Sequence, residues 1–371
     1  MRLPPAWKVK REFIAAYDQI KSLILIFTAP IRRSYYDKRE LTAIKSYDGH
    51  RALQGKLVLY LIFQPRGLTE STFLAIRYFI AQGHEVLVVS NGLIQHEDIE
   101  KLKPLCWRVI ERENIGYDFG GYRCGLHYLK NNKIDLEMLS LINDSIWLPL
   151  IPDANILTQT EEMNSDFGGA VIFKNKKQKY GNLVLSYWVT LRKSILEAEY
   201  FWAYWRKYLP TGNKTLTVKL GERGLSRHMH LAGQHADGVF STDKFMIAVR
   251  SASIQQLALS LKYGSFTDLS FQEECSKLLA AVEFDDRWRI SCLDFIERVV
   301  HRRNFLHSFC YASIAILGVP FLKKNNLRLQ VLMRMKYLEA VYAGDLLSPD
   351  ACLLKEIEES TDISNQSAAF R

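Results

Sequence analysis

Three apolar runs in the first third of the chain restrict its fold more than any other feature. They are KLVLYLIF from Lys56, EVLVVSNG from Glu85 and WRVIER from Trp107. Continuous apolar runs of this length, without polar alternation, read as strands covered on both faces. Gln64-Pro65-Arg66-Gly67 breaks the first run. Thr69 or Ser71 can then cap a helix that reaches Gln82, and Gly83 ends it. A short helix begins over residues 98–102 and stops at Pro104. Strand, helix and strand in alternation predict an α/β fold: a mainly parallel sheet flanked by helices, with crossovers of the usual hand. Ligands of such sheets sit beyond the carboxyl ends of the strands. Here those ends are residues 64–67, 90–92, 114–122 and 143–145.

Further along, FGGAVIF from Phe167 reads as another strand. LVLSYWVTLRKSIL from Leu183 starts as strand and ends as helix. FWAYWRKY from Phe201 and GERGLSRHMHLAG from Gly221 read as helices. Beyond about Arg250 the pattern is mainly helical. The expected organisation is a basic extension over 1–50, an α/β core over 51–250, a helical region over 251–355 and a polar tail over 356–371 that frays. The extension intersperses Trp7, Phe13, Tyr17, Tyr35 and Tyr36 with basic residues. Its helix over 12–27 either packs on the core or touches a membrane surface.

A net charge of +9 suggests an anionic partner. No compact Lys/Arg run and no zinc-finger spacing points to nucleic acid. Six scattered cysteines without a CxxC pair read as reduced thiols of a cytosolic protein. Residues 305–322 are uncharged and flanked by Arg302-Arg303 and Lys323-Lys324. They reach the lower length limit for a membrane span. His307, Ser308, Ser313 and Pro320 favour a buried or interfacial helix instead.

The stretch ENIGYDFGGYRCGLHYLK, then MLSLINDSIWLPL, carries the chemistry. Gly116, Gly120 and Gly121 lie in one turn, where missing Cβ atoms admit a ligand or simply allow a tight strand-to-helix turn. Asp118 can cap the helix that begins near Phe119. Neither a GxGxxG fingerprint nor a GxxxxGK[ST] phosphate loop is present. Asn143-Asp144-Ser145 ends a strand. A carboxylate there either caps a turn or holds a divalent cation that bridges two phosphates. Glu222 precedes a helix and is either a first-turn acid favoured by the dipole or a general base. His228 and His230 are two residues apart and point away from each other on a helix, which argues against a shared metal. No hydrolase or protease motif appears.

NIGYDFGGYRCGL followed by LINDSIW resembles the rhamnan synthesis protein F family of bacterial polysaccharide glycosyltransferases. LSYWVTLRKSIL, FWAYWRKY and VKLGERGLSRHM resemble its second half in the same order, and VPFLK at 319–323 resembles its C-terminal signature. The likeness spans residues 56–323. It implies a GT-A-like fold, with Asn143-Asp144-Ser145 as counterpart of the DxD motif. Asp144 would meet the diphosphate of a nucleotide-sugar donor, with or without Mg2+ or Mn2+. Asn114, Gly116 and Asp118 would lie near base and ribose. Gly121, Asn143 and Ser145 would complete the donor site, and Arg123 or Arg66 would add charge at the phosphates.

GERGLSRHMHLAG resembles the acidic-base segment of inverting enzymes, with Arg223 in the second acid's place. That implies Glu222 as base, and the family implies an activated rhamnose donor. The acceptor would be a growing cell-surface polysaccharide, a lipopolysaccharide or a lipid-linked glycan at the inner face of the cell membrane. Two rival readings remain. One is a non-catalytic partner in a polysaccharide assembly complex, motivated by the single acid at 143–145. The other is a membrane-bound lipid or nucleic-acid binder, motivated by net charge alone.

Overall fold

The computed structural model describes residues 28, 31–34, 36–38, 44–174 and 181–368. The helix expected over 12–27 lies outside them.

The chain opens with β1 (Lys45–Asp48), β2 (Lys56–Ile62), α1 (Glu70–Ala81), β3 (Glu85–Ser90), α2 (His96–Leu102), β4 (Arg108–Glu111), α3 (Tyr117–Asn131) and β5 (Met138–Asn143). The three apolar runs are thus β2, β3 and β4. They pair parallel in the spatial order β4-β3-β2-β5, and β1 closes that edge antiparallel. The other half contains β6 (Ile146–Trp147), α4 (Ile156–Glu161), β7 (Phe167–Phe173), β8 (Leu183–Val184), β9 (Trp188–Arg192), α5 (Lys193–Glu197), α6 (Glu199–Lys207), α7 (Lys214–Leu220), α8 (Glu222–Leu231) and β10 (Ala236–Ser241). Strand β9 runs antiparallel to both β5 and β7, and β10 is parallel to β7. The sheet is therefore mixed: parallel around β2, with antiparallel pairing entering at β9.

Each central strand divides its side chains between two cores, as a period of two requires. Val58, Tyr60 and Ile62 of β2 face α1, through Phe73, Ile76 and Phe79. Leu57, Leu59 and Leu61 face α3, through Phe119, Tyr122 and Leu126. Each large side chain buried this way contributes roughly 1.5–3 kcal/mol.

Helix α3 sits close on β2 because two positions lack a side chain. A Cβ on Gly121 would lie 2.2 Å from Leu61 Cδ1, and one on Gly125 would lie 2.4 Å from Leu59 Cδ1. The glycines expected to admit a ligand divide accordingly. Gly116 caps α3 at φ +87°, whereas Gly121 serves helix-on-strand packing.

The remaining elements are α9 (Thr242–Ser251), α10 (Ile254–Lys262), α11 (Leu269–Leu279), α12 (Asp286–Arg302), α13 (Phe305–Ser308), β11 (Leu322–Lys323), α14 (Arg328–Tyr342) and α15 (Ala351–Ala368). The region is helical as expected, but it shares the sheet's core. Phe271, Trp288, Phe295 and Phe309 belong to the same cluster as Val58 and Ile142.

Two expectations change. Residues 305–322 form no single helix. Phe305 and Phe309 are fully buried and stack on Phe245 at 5.0 and 6.1 Å between ring centroids. The apolar run is core, and among the described residues no helix is long and apolar enough to cross a membrane. The tail expected to fray from 356 is helical through Ala368. Leu353 and Ile357 are buried. Glu356 accepts hydrogen bonds from Ser71 N (3.0 Å), Ser71 Oγ (2.6 Å) and Trp147 Nε1 (3.0 Å).

Candidate functional site

Chain order around β2 defines where a crevice opens. From β2 the chain moves outward to β3 and β4, then crosses back to place β5 on the other side of β2. Such a reversal separates the loops at the carboxyl ends of the two strands and leaves room for a ligand. Asp144, the first residue after β5, sits there. Its backbone N–H donates to Leu61 O at 2.9 Å. Its Oδ2 accepts from Phe63 N at 2.9 Å and Gln64 Nε2 at 3.1 Å. The carboxylate is thereby fixed across the crevice, from the end of one strand to the start of the loop after the other.

Asp118, in the first turn of α3, approaches from the side. Its Oδ1 accepts from Phe119 N at 3.2 Å, and its Oδ2 accepts from Ser186 Oγ at 3.4 Å. It does not cap the helix, because Gly116 holds that position. Glu222 opens α8, and its Oε2 accepts from Ser186 N at 2.9 Å. Ser186, between β8 and β9, thus ties both acids together, while its carbonyl accepts from Tyr122 OH at 2.8 Å. Burial, and then the negative charge of Glu222, raise the pKa of Asp118.

The fourth group is Lys323, which the residue pattern alone does not nominate. Strand β11 pairs antiparallel with β6, setting Lys323 opposite Ile146 and Leu322 opposite Trp147. This brings Lys323 Nζ within 2.7 Å of Ser145 Oγ and 3.8 Å of the Tyr187 ring centroid. Burial lowers its pKa to about 7, against the opposing pull of Glu222, Asp118 and Asp144. The charges of these three acids therefore act together on one lysine. Lys324 follows, donating through Nζ to Ser71 Oγ at 3.2 Å. Burial lowers its pKa as well, opposed by Asp144 and Glu356.

The other expected residues divide. Ser145 Oγ accepts from Lys323 and donates to Asn143 Oδ1, so both line the crevice floor. Asn114 is exposed on the loop between β4 and α3. Gly116 packs against Pro210, where a Cβ would approach within 2.6 Å. Tyr117 follows at φ 52°, unusual for a residue with a Cβ. Its carbonyl is held by Asn91 Nδ2 at 3.1 Å and its hydroxyl donates to Gly212 O at 3.0 Å.

Arg123 does not join the group. It is buried on the other side of α3, where Nε donates to Trp205 O at 3.1 Å and a terminal nitrogen pairs with Asp37 at 2.6 Å. Five residues after Asp118 on a helix, it points away from the crevice. Arg66 is exposed on the loop after β2.

A divalent cation needs several oxygen ligands. Asp144 alone occupies the expected motif, two N–H donors already hold its Oδ2, and both Lys323 and Lys324 lie within its field. Among the described residues no group of three His, Cys, Asp or Glu side chains is arranged to hold a metal. This donor set does not fit a divalent ion at Asp144, because it offers a single carboxylate whose Oδ2 already accepts from two N–H donors.

A family model described as rhamnan synthesis protein F matches residues 86–257. The uncharacterized protein y4gN of Sinorhizobium fredii (strain NBRC 101917 / NGR234) is 30% identical over 355 residues, 94% of this chain and 91% of that protein. Virulence protein VirA of Vibrio anguillarum (strain ATCC 68554 / 775) is 28% identical over 152 residues, 40% of this chain and 46% of that one. Solved structures with some likeness include the mannosyltransferase PcManGT from Pyrobaculum calidifontis, in complex with GDP-Man and Mn2+. It has 11% identity, covers 93% of this chain and 97% of its own, and gives a TM-score of 0.31. The mannosyltransferase Ktr4p from S. cerevisiae has 8% identity, coverage of 53% and 71%, and a TM-score of 0.26.

Proposed function

Because the chain belongs to the rhamnan synthesis protein F family, we propose that it is a GT-A-like glycosyltransferase that uses a nucleoside-diphosphate sugar. One observation carries the reading: Asp118, Asp144, Glu222 and Lys323 converge at the crevice between the carboxyl ends of β2 and β5. A polar cluster of mixed charge at a strand-order reversal suits a ligand that is both anionic and hydroxylated.

In this reading the donor lies across the strand ends, its nucleoside toward Asn114, Gly116 and Asp118 and its diphosphate over Asn143, Asp144 and Ser145. Glu222 takes the proton of an acceptor hydroxyl. That oxygen forms a bond to the anomeric carbon as the bond to the diphosphate oxygen breaks, and the electron pair leaves with the diphosphate. Attack opposite the leaving group inverts the configuration. The hydrogen bond from Ser186 N keeps the Glu222 carboxylate oriented, as a base needs.

The family name supports rhamnose as the sugar and a growing cell-surface polysaccharide or lipopolysaccharide as acceptor. Work at the cytoplasmic face of the membrane follows from that acceptor. A transfer assay with a panel of nucleoside-diphosphate sugars, including rhamnose donors, tests it by release of the nucleoside diphosphate. Release that depends on a lipid-linked glycan is expected. Donor binding without release across donors and acceptors would instead favour a non-catalytic member of an assembly complex.

A further inference from the structure

The geometry points to Lys323 as the resident cation of the donor site, binding the diphosphate where a divalent metal would otherwise serve. This rests on the donor-site reading above and assigns the charge within it.

Several observations converge on this one side chain. It reaches the crevice only through the pairing of β11 with β6. Its Nζ is anchored by Ser145 Oγ on one side and the Tyr187 face on the other. The Tyr187 hydroxyl is itself buried, with no hydrogen-bond partner among the described residues. Lys323 stands in the field of Asp118, Asp144 and Glu222, while its Nζ donates to the Ser145 hydroxyl. An ammonium so placed retains unused hydrogen-bond donors and can turn them to an incoming anion. Lys324, over the Trp147 ring at 5.5 Å, is a second amine beside it.

Opposite charge at the phosphates stabilises the pair of electrons that leaves with the diphosphate when the anomeric bond breaks. Lys323, held in its charged form by the bound diphosphate, provides this without a metal. The acids of the crevice then have two tasks: Asp144 and Asp118 hold the lysine's field in place, and Glu222 receives the acceptor's proton.

Isothermal calorimetry on the full chain tests the assignment, with UDP, GDP, dTDP and inorganic pyrophosphate as probes, each in EDTA and in Mn2+. We expect at least one nucleoside diphosphate to bind in EDTA, with an affinity that Mn2+ changes less than about twofold. K323M should weaken that affinity at least about tenfold and K323R should restore most of it, since a charge-assisted contact is kept. Thermal unfolding checks that the variants fold. If K323M does not, K323Q against K323R carries the comparison. Binding that requires Mn2+ in the wild type would overturn the lysine assignment and leave the donor site standing. Equal binding by wild type and K323M in EDTA would overturn it too. No binding of any probe in either condition would remove the donor site itself.

Discussion

Gly121→Ala distinguishes two explanations of the glycine-bearing turn, ligand approach and helix packing. The added methyl would meet Leu61 Cδ1 at 2.2 Å, Leu61 Cδ2 at 3.0 Å and Asn91 Oδ1 at 3.1 Å. Leu61 is buried in the central strand, so it can yield only by leaving its rotamer or moving the helix. Overpacking of this kind costs about 1–3 kcal/mol. Alanine's better helix propensity returns up to about 1 kcal/mol, for a net loss of roughly 0–2 kcal/mol. In a chain of this length that lowers Tm by at most about 3 °C, so denaturant unfolding is the better assay. The partner substitution Leu61→Ala alone should cost about 2–5 kcal/mol. The double variant should be more stable than the sum of the two by at least about 0.5 kcal/mol, since each change makes room for the other. Strict additivity, or full stability with loss of nucleotide binding, would refute the packing explanation.

Glu222→Gln keeps the shape of the proposed base but not its basicity; turnover should fall about 10²–10⁴-fold with donor affinity retained, and unchanged turnover in a steady-state assay removes Glu222 from that role. Arg123→Met leaves the Trp205 carbonyl without its donor and should cost about 1–3 kcal/mol in denaturant unfolding. Donor affinity per folded molecule should stay the same, and a stable variant that no longer binds would return Arg123 to the site. A pH prediction follows from Lys323, whose pKa burial lowers to about 7. It is faced by Asp118 from α3, Asp144 after β5, Glu222 from α8, His307 from α13 and its neighbour Lys324. The free site is mostly neutral at this lysine above pH 7, and a bound diphosphate favours the charged form. Binding should therefore take up more proton at pH 8 than at pH 6, and affinity should fall as pH rises above 7. Calorimetry in buffers of different ionisation enthalpy reads this directly. Uptake at pH 8 that persists unchanged in K323M would contradict it.

Much of the core was legible from local pattern. The runs at Lys56, Glu85 and Trp107 became β2, β3 and β4, because a strand covered on both faces has little freedom in composition. Glu222 and Asp144 were candidates by position, but a helix-start Glu and a strand-end Asp read equally as first-turn and turn-capping acids, and only the family resemblance singled them out. The glycine turn was legible as a turn, but Gly121's purpose was not, since a missing Cβ looks alike whether a ligand or Leu61 occupies the space.

Segment identity and chain direction were decided by the residues in each stretch, because helix and strand periodicities are set by neighbours a few positions apart. Tertiary structure decided the rest. Lys323 reaches Ser145 across 178 positions of sequence, Glu356 reaches Ser71 across 285, and the run at 305–322 became core in several short pieces instead of one buried or interfacial helix. Such meetings depend on which faces bury against one another and on strand register, and no local window of the chain contains that information.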